Sequence, residues 1–353
     1  MGKRVLVTGL GTFWGGRVAQ RLERDPDIEV IVGLDRLEPT IALDRTEYVR
    51  SDENYSILNR IVQATQVDTI VHTFLVSDST QMKSRTMHEI NVIGTMNLFA
   101  AASAPDSTVR NVVVKSSTQV YGTSARDPNR FRESDQRSSP PRRPVERSLV
   151  EVEGYVRDFA EDNPHVTVSL LRFSNVLGPD IETPLSKALS LPIVPSLWGF
   201  DPRLQFVHHD DVVRSILFAL DRQLAGVYNV AGDGMLPWSE VAAICGKRTI
   251  PMPPVGAGLA AAPLRRLGVD LAPELLSLLR YGRGVDNSRL QEAGFRYDYT
   301  SAGAVEAFIE ATRLRNVVGS GTAYTYERDV EQFFRHSPAV VRNPPAGDDP
   351  TSA

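Results

Sequence analysis

The chain has 353 residues, enough for a large α/β core with one or two lobes, and 39 Lys+Arg against 43 Asp+Glu leave a net charge of −4, which gives no basic footprint for nucleic acid. Its one cysteine, Cys245, excludes an internal disulfide framework and a cysteine-rich metal site, and is expected to be a quiet, half-buried thiol. Strand-like sequence from residue 4 leaves no room for a secretory signal, and the most apolar later run, Val255 to Leu264, is short and broken by Pro263; a soluble, cytoplasmic protein without a membrane span is the expectation.

The first predicted strand, Arg4 to Val7, runs into Thr8-Gly9-Leu10-Gly11-Thr12-Phe13-Trp14-Gly15-Gly16 and re-enters as a helical pattern from Arg17 to Leu22. A strand, a glycine turn and a helix start offer backbone N–H groups and the positive end of a helix dipole to a pyrophosphate. A second apolar run, Glu29 to Leu34, ends in Asp35, where a dinucleotide site needs a carboxylate for the ribose hydroxyls. Predicted strands at Glu47–Arg50, Asp68–Thr73, Val109–Lys115 and Val166–Phe173 alternate with helices at Tyr55–Ala64, around Ile90–Ala101, and at Leu149–Glu161. Such alternation of nearly continuous apolar strands with helices predicts a Rossmann-type, doubly wound α/β fold whose parallel sheet is covered on both faces. Asp35, Thr73 and Ser116-Ser117, at strand ends, should border one crevice.

Residues 123–148 are rich in Arg, Ser and Pro and read as an exposed loop. Beyond Pro179 short strands (Arg203–Val207, Gly226–Val230) flank a helix at Asp211–Leu220, and further helices are predicted near Ser239–Cys245, Leu259–Leu267, Pro273–Tyr281 and Ser301–Leu314. The organisation expected is a dinucleotide-binding domain over 1–178, to which 203–222 returns, a smaller, mostly helical substrate lobe over 179–315, and a mobile tail over 316–353.

Several segments together resemble the extended short-chain dehydrogenase/reductases, the NAD-dependent epimerase/dehydratase family. They are the glycine loop, Asn91-Val92-Ile93-Gly94-Thr95, Ser116-Ser117-Thr118-Gln119-Val120-Tyr121-Gly122, Leu171-Arg172-Phe173-Ser174-Asn175-Val176-Leu177-Gly178-Pro179, Phe206-Val207-His208-His209-Asp210-Asp211-Val212 and Tyr228-Asn229-Val230. The resemblance implies that Gly9, Gly11, Thr12, Phe13, Trp14 and Gly15 hold a pyrophosphate and Asp35 the adenosine ribose, with Asp52 by the adenine and Thr73 and Phe74 by the dinucleotide. Asn91 would brace the floor of the site, Ser117 would hydrogen-bond the reacting oxygen, and Arg172 and Asn175 would face the substrate. NAD is expected over NADP because Asp35 would repel a 2′-phosphate; Arg36, its neighbour, keeps NADP as the second option.

Two departures stand out. Thr12 occupies the place of the loop's middle glycine, where a β-branched side chain resists positive φ; Gly11 is the residue expected to supply the missing freedom. The loop's ending is similar to that of an actinobacterial subgroup. The family's acid/base pair, Tyr-x-x-x-Lys with a Glu four residues on, is missing. With Glu153 as that Glu, Leu149 takes the place of the Lys and Val145 that of the Tyr. No tyrosine lies between Gly122 and Gly154 and no lysine between Ser116 and Ser186. Tyr155 falls about 15 Å too far along a helix. The pair matters because a free phenol, with a pKa of ~10, is a poor base until a nearby ammonium favours its anion. The candidate substitutes are Lys115, which shares a strand face with Ser117, and Arg147, a cation that would hold a ribose hydroxyl but cannot relay a proton.

His208-His209-Asp210 invites a metal reading, but neighbouring side chains diverge on a strand and no metal is expected. His72, in an apolar strand, reads as a satisfied core histidine. Two functions stay open: an epimerase/dehydratase-like enzyme acting on a nucleotide sugar with an altered acid/base site, or a catalytically degenerate dinucleotide-binding sensor or scaffold. Both predict a small-molecule partner and no nucleic acid, and leave a homodimer open.

Overall fold

A computed structural model describes residues 2–52, 54–78, 80–254 and 273–318. The predicted helix at Leu259–Leu267 and nearly all of the predicted tail lie outside these residues. Seven strands form one wholly parallel sheet: β1 (Lys3–Thr8), β2 (Ile28–Asp35), β3 (Thr46–Arg50), β4 (Thr69–His72), β5 (Asn111–Ser117), β6 (Thr167–Phe173) and β11 (Gly226–Val230). Between β6 and β11 come four short strands that pair elsewhere, β7 (Asn175–Leu177), β8 (Ile193–Leu197), β9 (Arg203–Leu204) and β10 (Phe206–His208). The spatial order in the seven-stranded sheet is β11-β6-β5-β4-β1-β2-β3. The chain winds outward from β1 to β3 and restarts on the other side of β1 at β4, so β1 and β4 flank the switch point where such sheets open a crevice.

One sheet face is covered by α2 (Tyr55–Thr65), α4 (Gly94–Ala102) and α5 (Pro144–Asp162), which bury Leu58, Leu98, Val152 and Phe159 against it. The other is covered by α1 (Phe13–Leu22) and α7 (His209–Arg222), through Val18, Leu22, Val212 and Ile216. Before α4 the chain forms α3 (Ser84–His88) and a π-helical turn, Glu89–Ile93, which holds Asn91. Helix α5 begins five residues earlier than the apolar period suggested, because Pro144 occupies its first turn, where the missing N–H costs nothing.

A separate core gathers α6 (Pro184–Ser190), β8 (Ile193–Leu197), α8 (Trp238–Ile244), α9 (Pro273–Tyr281) and α10 (Ser301–Val318) around Leu189, Leu197, Trp238, Leu278 and Phe308. Trp238 Nε1 donates to Pro195 O at 2.8 Å, satisfying the polar atom of this buried indole. Cys245 belongs to this core and is more deeply buried than expected, only 3% exposed; burial pushes its thiol up to about 11. Among the described residues no helix is long and apolar enough to cross a membrane.

His72, on β4, is fully buried and doubly bonded, to Thr8 Oγ1 and to Thr95 Oγ1, each at 2.9 Å. The Thr95 hydroxyl already donates to Asn91 O, so it can only accept, which makes His72 Nε2 the protonated nitrogen and Nδ1 the acceptor. Burial pushes the imidazole down to about 3, with the Lys115 charge adding to the effect. An unfolded histidine takes a proton near pH ~6.5 that the folded one refuses. Stability therefore holds above that pH and falls as pH drops toward 3, by up to about 1.4 kcal/mol per pH unit. Urea unfolding at pH 7, 6 and 5 should show this slope, and H72Q should flatten it; an unchanged slope in the variant refutes the assignment.

Candidate functional site

The glycine loop places the start of α1 beneath the crevice. Gly9 has φ +76, the loop's one positive φ. Thr12 has φ −76 and Gly11 is not left-handed either, so the expected conflict does not arise and Gly11 supplies no special freedom. Gly11 N instead donates to Asp35 Oδ2 at 3.0 Å, tying the loop to the end of β2, while Leu37 N donates to Asp35 Oδ1. Thr12 is the helix N-cap: its Oγ1 accepts from Gly15 N at 3.1 Å and donates to Gly9 O at 2.6 Å. The amides of Phe13 and Trp14, the first two helical positions, have no acceptor inside the helix.

A cavity of about 400 Å³ opens at these residues. Its walls include Thr12, Phe13 and Trp14 from the loop, Thr73 and Phe74 after β4, and Ser116, Ser117 and Lys115 from β5. Ser117 Oγ accepts from Gln119 N at 3.2 Å, which leaves its O–H free to donate into the cavity. Lys115 Nζ lies 5.6 Å from the centre of the Trp14 ring and makes no hydrogen bond or ion pair among the described residues. Burial pushes this amine down to about 8.

On α5 the positions of the family's Tyr and Lys are occupied by Val145 and Leu149, both fully buried with Met87, Tyr121 and Phe131. Arg147, between them, faces solvent and is not part of the cavity wall, because residues two apart on a helix point to different sides. The expected ribose-holding role for Arg147 has no geometric basis.

Arg172 is not in the cavity either. Its guanidinium is spent on Glu153 of α5 (2.6 Å), Tyr121 Oη (2.7 Å) and Glu133 O (3.2 Å). Tyr121 Oη in turn donates to Asn229 Oδ1 at 2.8 Å, and Ser116 Oγ donates to Glu153 Oε1 at 2.6 Å. Three family motifs and Glu153 thus meet in one buried strut joining β5, β6, β11 and α5. Burial also keeps the Tyr121 phenol protonated, so it is no stand-in for the missing tyrosine.

Asn91 sits behind the cavity wall: its side chain bonds both the N–H and C=O of Val76, at 2.8 Å each, and so positions a cavity-lining loop. Asn175 lines the cavity while donating to Gln205 O at 2.8 Å. Asp52 is exposed and ion-paired to Arg36 at 2.7 Å, beside the end of β2. The structure brings His208, His209 and Asp210 together, their ligand atoms within 4.8 Å, because the chain turns from strand into α7 between the two histidines. His208 Nδ1 accepts from Asp210 N as the cap of α7, and its ring stacks on Tyr299 at 3.8 Å.

The far wall of the cavity carries Arg143 and Arg283. Arg143 bonds Glu146 at 2.9 Å and Ser277; Arg283 donates to Gly122 O at 3.2 Å and its Nε has no partner among the described residues. Arg143 belongs to the arginine-rich loop read as solvated surface, and Arg283 stands in a Gly-Arg-Gly stretch with no motif of its own. Only the tertiary fold, which lays α9 over the cavity mouth, marks either one.

The profile of the NAD dependent epimerase/dehydratase family matches residues 5–231. An uncharacterised protein of Mycobacterium tuberculosis is 32% identical over 333 residues, which cover 92% of this chain and 88% of that protein. A dTDP-D-glucose 4,6-dehydratase of Bos taurus is 26% identical over 248 residues, 65% of this chain and 68% of the dehydratase. MoeE5 in complex with UDP-glucose and NAD is similar with a TM-score of 0.67 at 22% identity, covering 89% of this chain and 99% of MoeE5. A UDP-glucose 4-epimerase of Thermotoga maritima gives 0.65 at 16% identity, covering 88% and 98%. At such identities the structural likeness establishes the fold.

Proposed function

This chain belongs to the NAD dependent epimerase/dehydratase family, and from that premise we propose that it binds NAD and carries out an oxidation or oxidation–reduction at a hydroxyl-bearing carbon of a nucleotide sugar. The observation that carries the reading is one continuous cavity, running from the open amides at the start of α1, past Ser117, to Asn175 and two arginines. The residues present fit a dinucleotide. The Phe13 and Trp14 amides and the α1 dipole favour a pyrophosphate, and Asp35 at the end of β2 suits ribose hydroxyls. When bound, the nicotinamide supplies reversible hydride transfer. Ser117 orients the reacting hydroxyl through its free O–H. Arg143 and Arg283 offer charge to a sugar nucleotide's diphosphate. UDP-glucose stands in the MoeE5 and Thermotoga maritima structures, and the Bos taurus relative is named for a dTDP-sugar, which supports that substrate class.

Native mass spectrometry of the purified protein should show a bound dinucleotide. Incubation with NAD and a panel of UDP- and dTDP-hexoses should give turnover, and S117A should lower the rate by ~10²-fold or more. Failure to convert any member of the panel, with the dinucleotide bound, refutes the enzyme reading. The buried Val145 and Leu149 favour the second reading, a dinucleotide-holding sensor, which predicts thermal stabilisation by NAD or NADH without turnover.

A further inference from the structure

The ionisable groups around the cavity are, with one exception, already committed. Glu146 is held by Arg137 and Arg143, Glu182 by Lys187, and Asp78 accepts from Thr80. Asp180 and Glu274 have partners of their own, and an arginine does not release its proton. Lys115 alone combines a place in the cavity wall, burial to 7% exposure and an amine without hydrogen bond or counter-charge among the described residues. It lies two residues before Ser117 on the same face of β5, an advance of about 6.6 Å.

We propose that Lys115 is the general base of this site, accepting the proton of a substrate hydroxyl that Ser117 orients, in place of the tyrosine–lysine pair missing from α5. The proposal rests on the oxidoreductase reading above. The step balances: the O–H proton passes to the neutral Lys115 amine and the C–H hydride leaves to the oxidised nicotinamide, so that a carbonyl and a lysine ammonium result. On reduction the ammonium returns the proton. Val145 and Leu149 then need no replacement on α5, because the proton is handled from the opposite side, by β5.

Charge around Lys115 is consistent with this office. His72, on β4, points to the opposite face of the sheet, where it bonds Thr95 of α4, and is kept neutral by burial. Arg172, next along β6, is neutralised by Glu153 of α5. On α1, Trp14 presents its ring and Arg17 lies over Phe13 at 5.5 Å. The cavity carboxylates Asp78, Glu146, Asp180, Glu182 and Glu274 are engaged elsewhere, so no anion holds the ammonium in its charged form. Burial brings the amine to about 8, where acid and base forms are both populated near neutral pH.

The test uses the full chain, which has five lysines. Labelling with [13Cε]lysine gives five resonances, and the one lost in K115M should titrate near pH 8; a midpoint at the ordinary ~10.4 overturns the proposal. With a turned-over UDP-hexose, the oxidation rate should rise with pH to a plateau above that midpoint. K115M and K115R should both lose ~10²–10⁴-fold in kcat while binding NAD within about threefold of wild type. A K115R rate within tenfold of wild type overturns the base role, since guanidinium cannot take the proton. An inactive wild type that binds NAD and UDP-hexose sinks the oxidoreductase reading and this proposal together. An active wild type with an unaffected K115M sinks Lys115 alone.

Discussion

Gly15→Ala is expected to destabilise the fold by about 3 kcal/mol and to weaken NAD binding by ~10²-fold. A Cβ at Gly15 would lie 2.6 Å from the Gly9 carbonyl carbon, closer still to its oxygen, and 2.9 Å from Leu10 Cα. All three are backbone atoms of the turn that joins β1 to α1, so no side chain can swing away to relieve the overlap. Either α1 lifts from the loop or the loop leaves β1. Both movements displace the Phe13 and Trp14 amides from a shared phosphate position, and two charge-assisted hydrogen bonds at ~1.5–3 kcal/mol each account for the affinity. The stability cost corresponds to a melting shift of roughly 4–5 °C for a chain of this length. Thr12→Gly is the matched control: it removes a cap whose replacement by glycine costs only a few tenths of a kcal/mol, and leaves the close approach intact. Calorimetry of both variants, with and without NAD, checks the pair. A G15A protein that melts and binds like T12G would show that the loop tolerates the side chain, and that the turn is not what holds the phosphate seat.

The sheet and its covering helices could be read from residues 4–173 because each element carries its own signal: apolar, β-branched runs for strands fully covered on both faces, and apolar stripes between them. The exceptions have local causes. The start of helix α5 is hidden because Arg142-Arg143-Pro144 has the composition of a loop, although a proline in a first turn starts helices as readily as it ends them. Thr12 looked like a steric liability when judged by glycine's conformational range, but its φ is ordinary and its hydroxyl does a capping residue's work. At the site the motifs located the crevice better than they assigned tasks within it. Arg172 and Tyr121 belong to motifs beside the pocket, but a buried arginine on a strand needs a carboxylate, and Glu153 provides one from a helix that sequence spacing cannot dock. Arg143 and Arg283 were invisible for the reverse reason. They lie 140 residues apart in segments without periodicity, and only the packing of α9 brings both to one wall.

Breaking the Arg172–Glu153 pair should be the costliest change outside the glycine loop. The two side chains are 12% and 10% exposed, and the guanidinium meets both carboxylate oxygens. R172M leaves the Glu153 carboxylate buried without its partner and strips a donor from Tyr121 Oη; E153M leaves the guanidinium buried without its carboxylate. Each single change should cost about 3–5 kcal/mol, because an uncompensated buried charge is left behind. The double variant R172M/E153M removes both charges together. Its remaining penalty is the lost partners of the Ser116 and Tyr121 hydroxyls, ~1–3 kcal/mol apiece, so it should be no less stable than either single variant. Urea midpoints of the four proteins measure the coupling, expected at about 3 kcal/mol; additivity within ~0.5 kcal/mol would show that the two residues act independently. The strut has a consequence for the chemistry as well. Ser116, which it holds through Glu153, lies between Lys115 and Ser117, so the same bonds that fasten α5 to the sheet fix the strand end on which both cavity residues stand. A double variant that folds should therefore keep its NAD affinity, set by the loop at α1, and lose kcat.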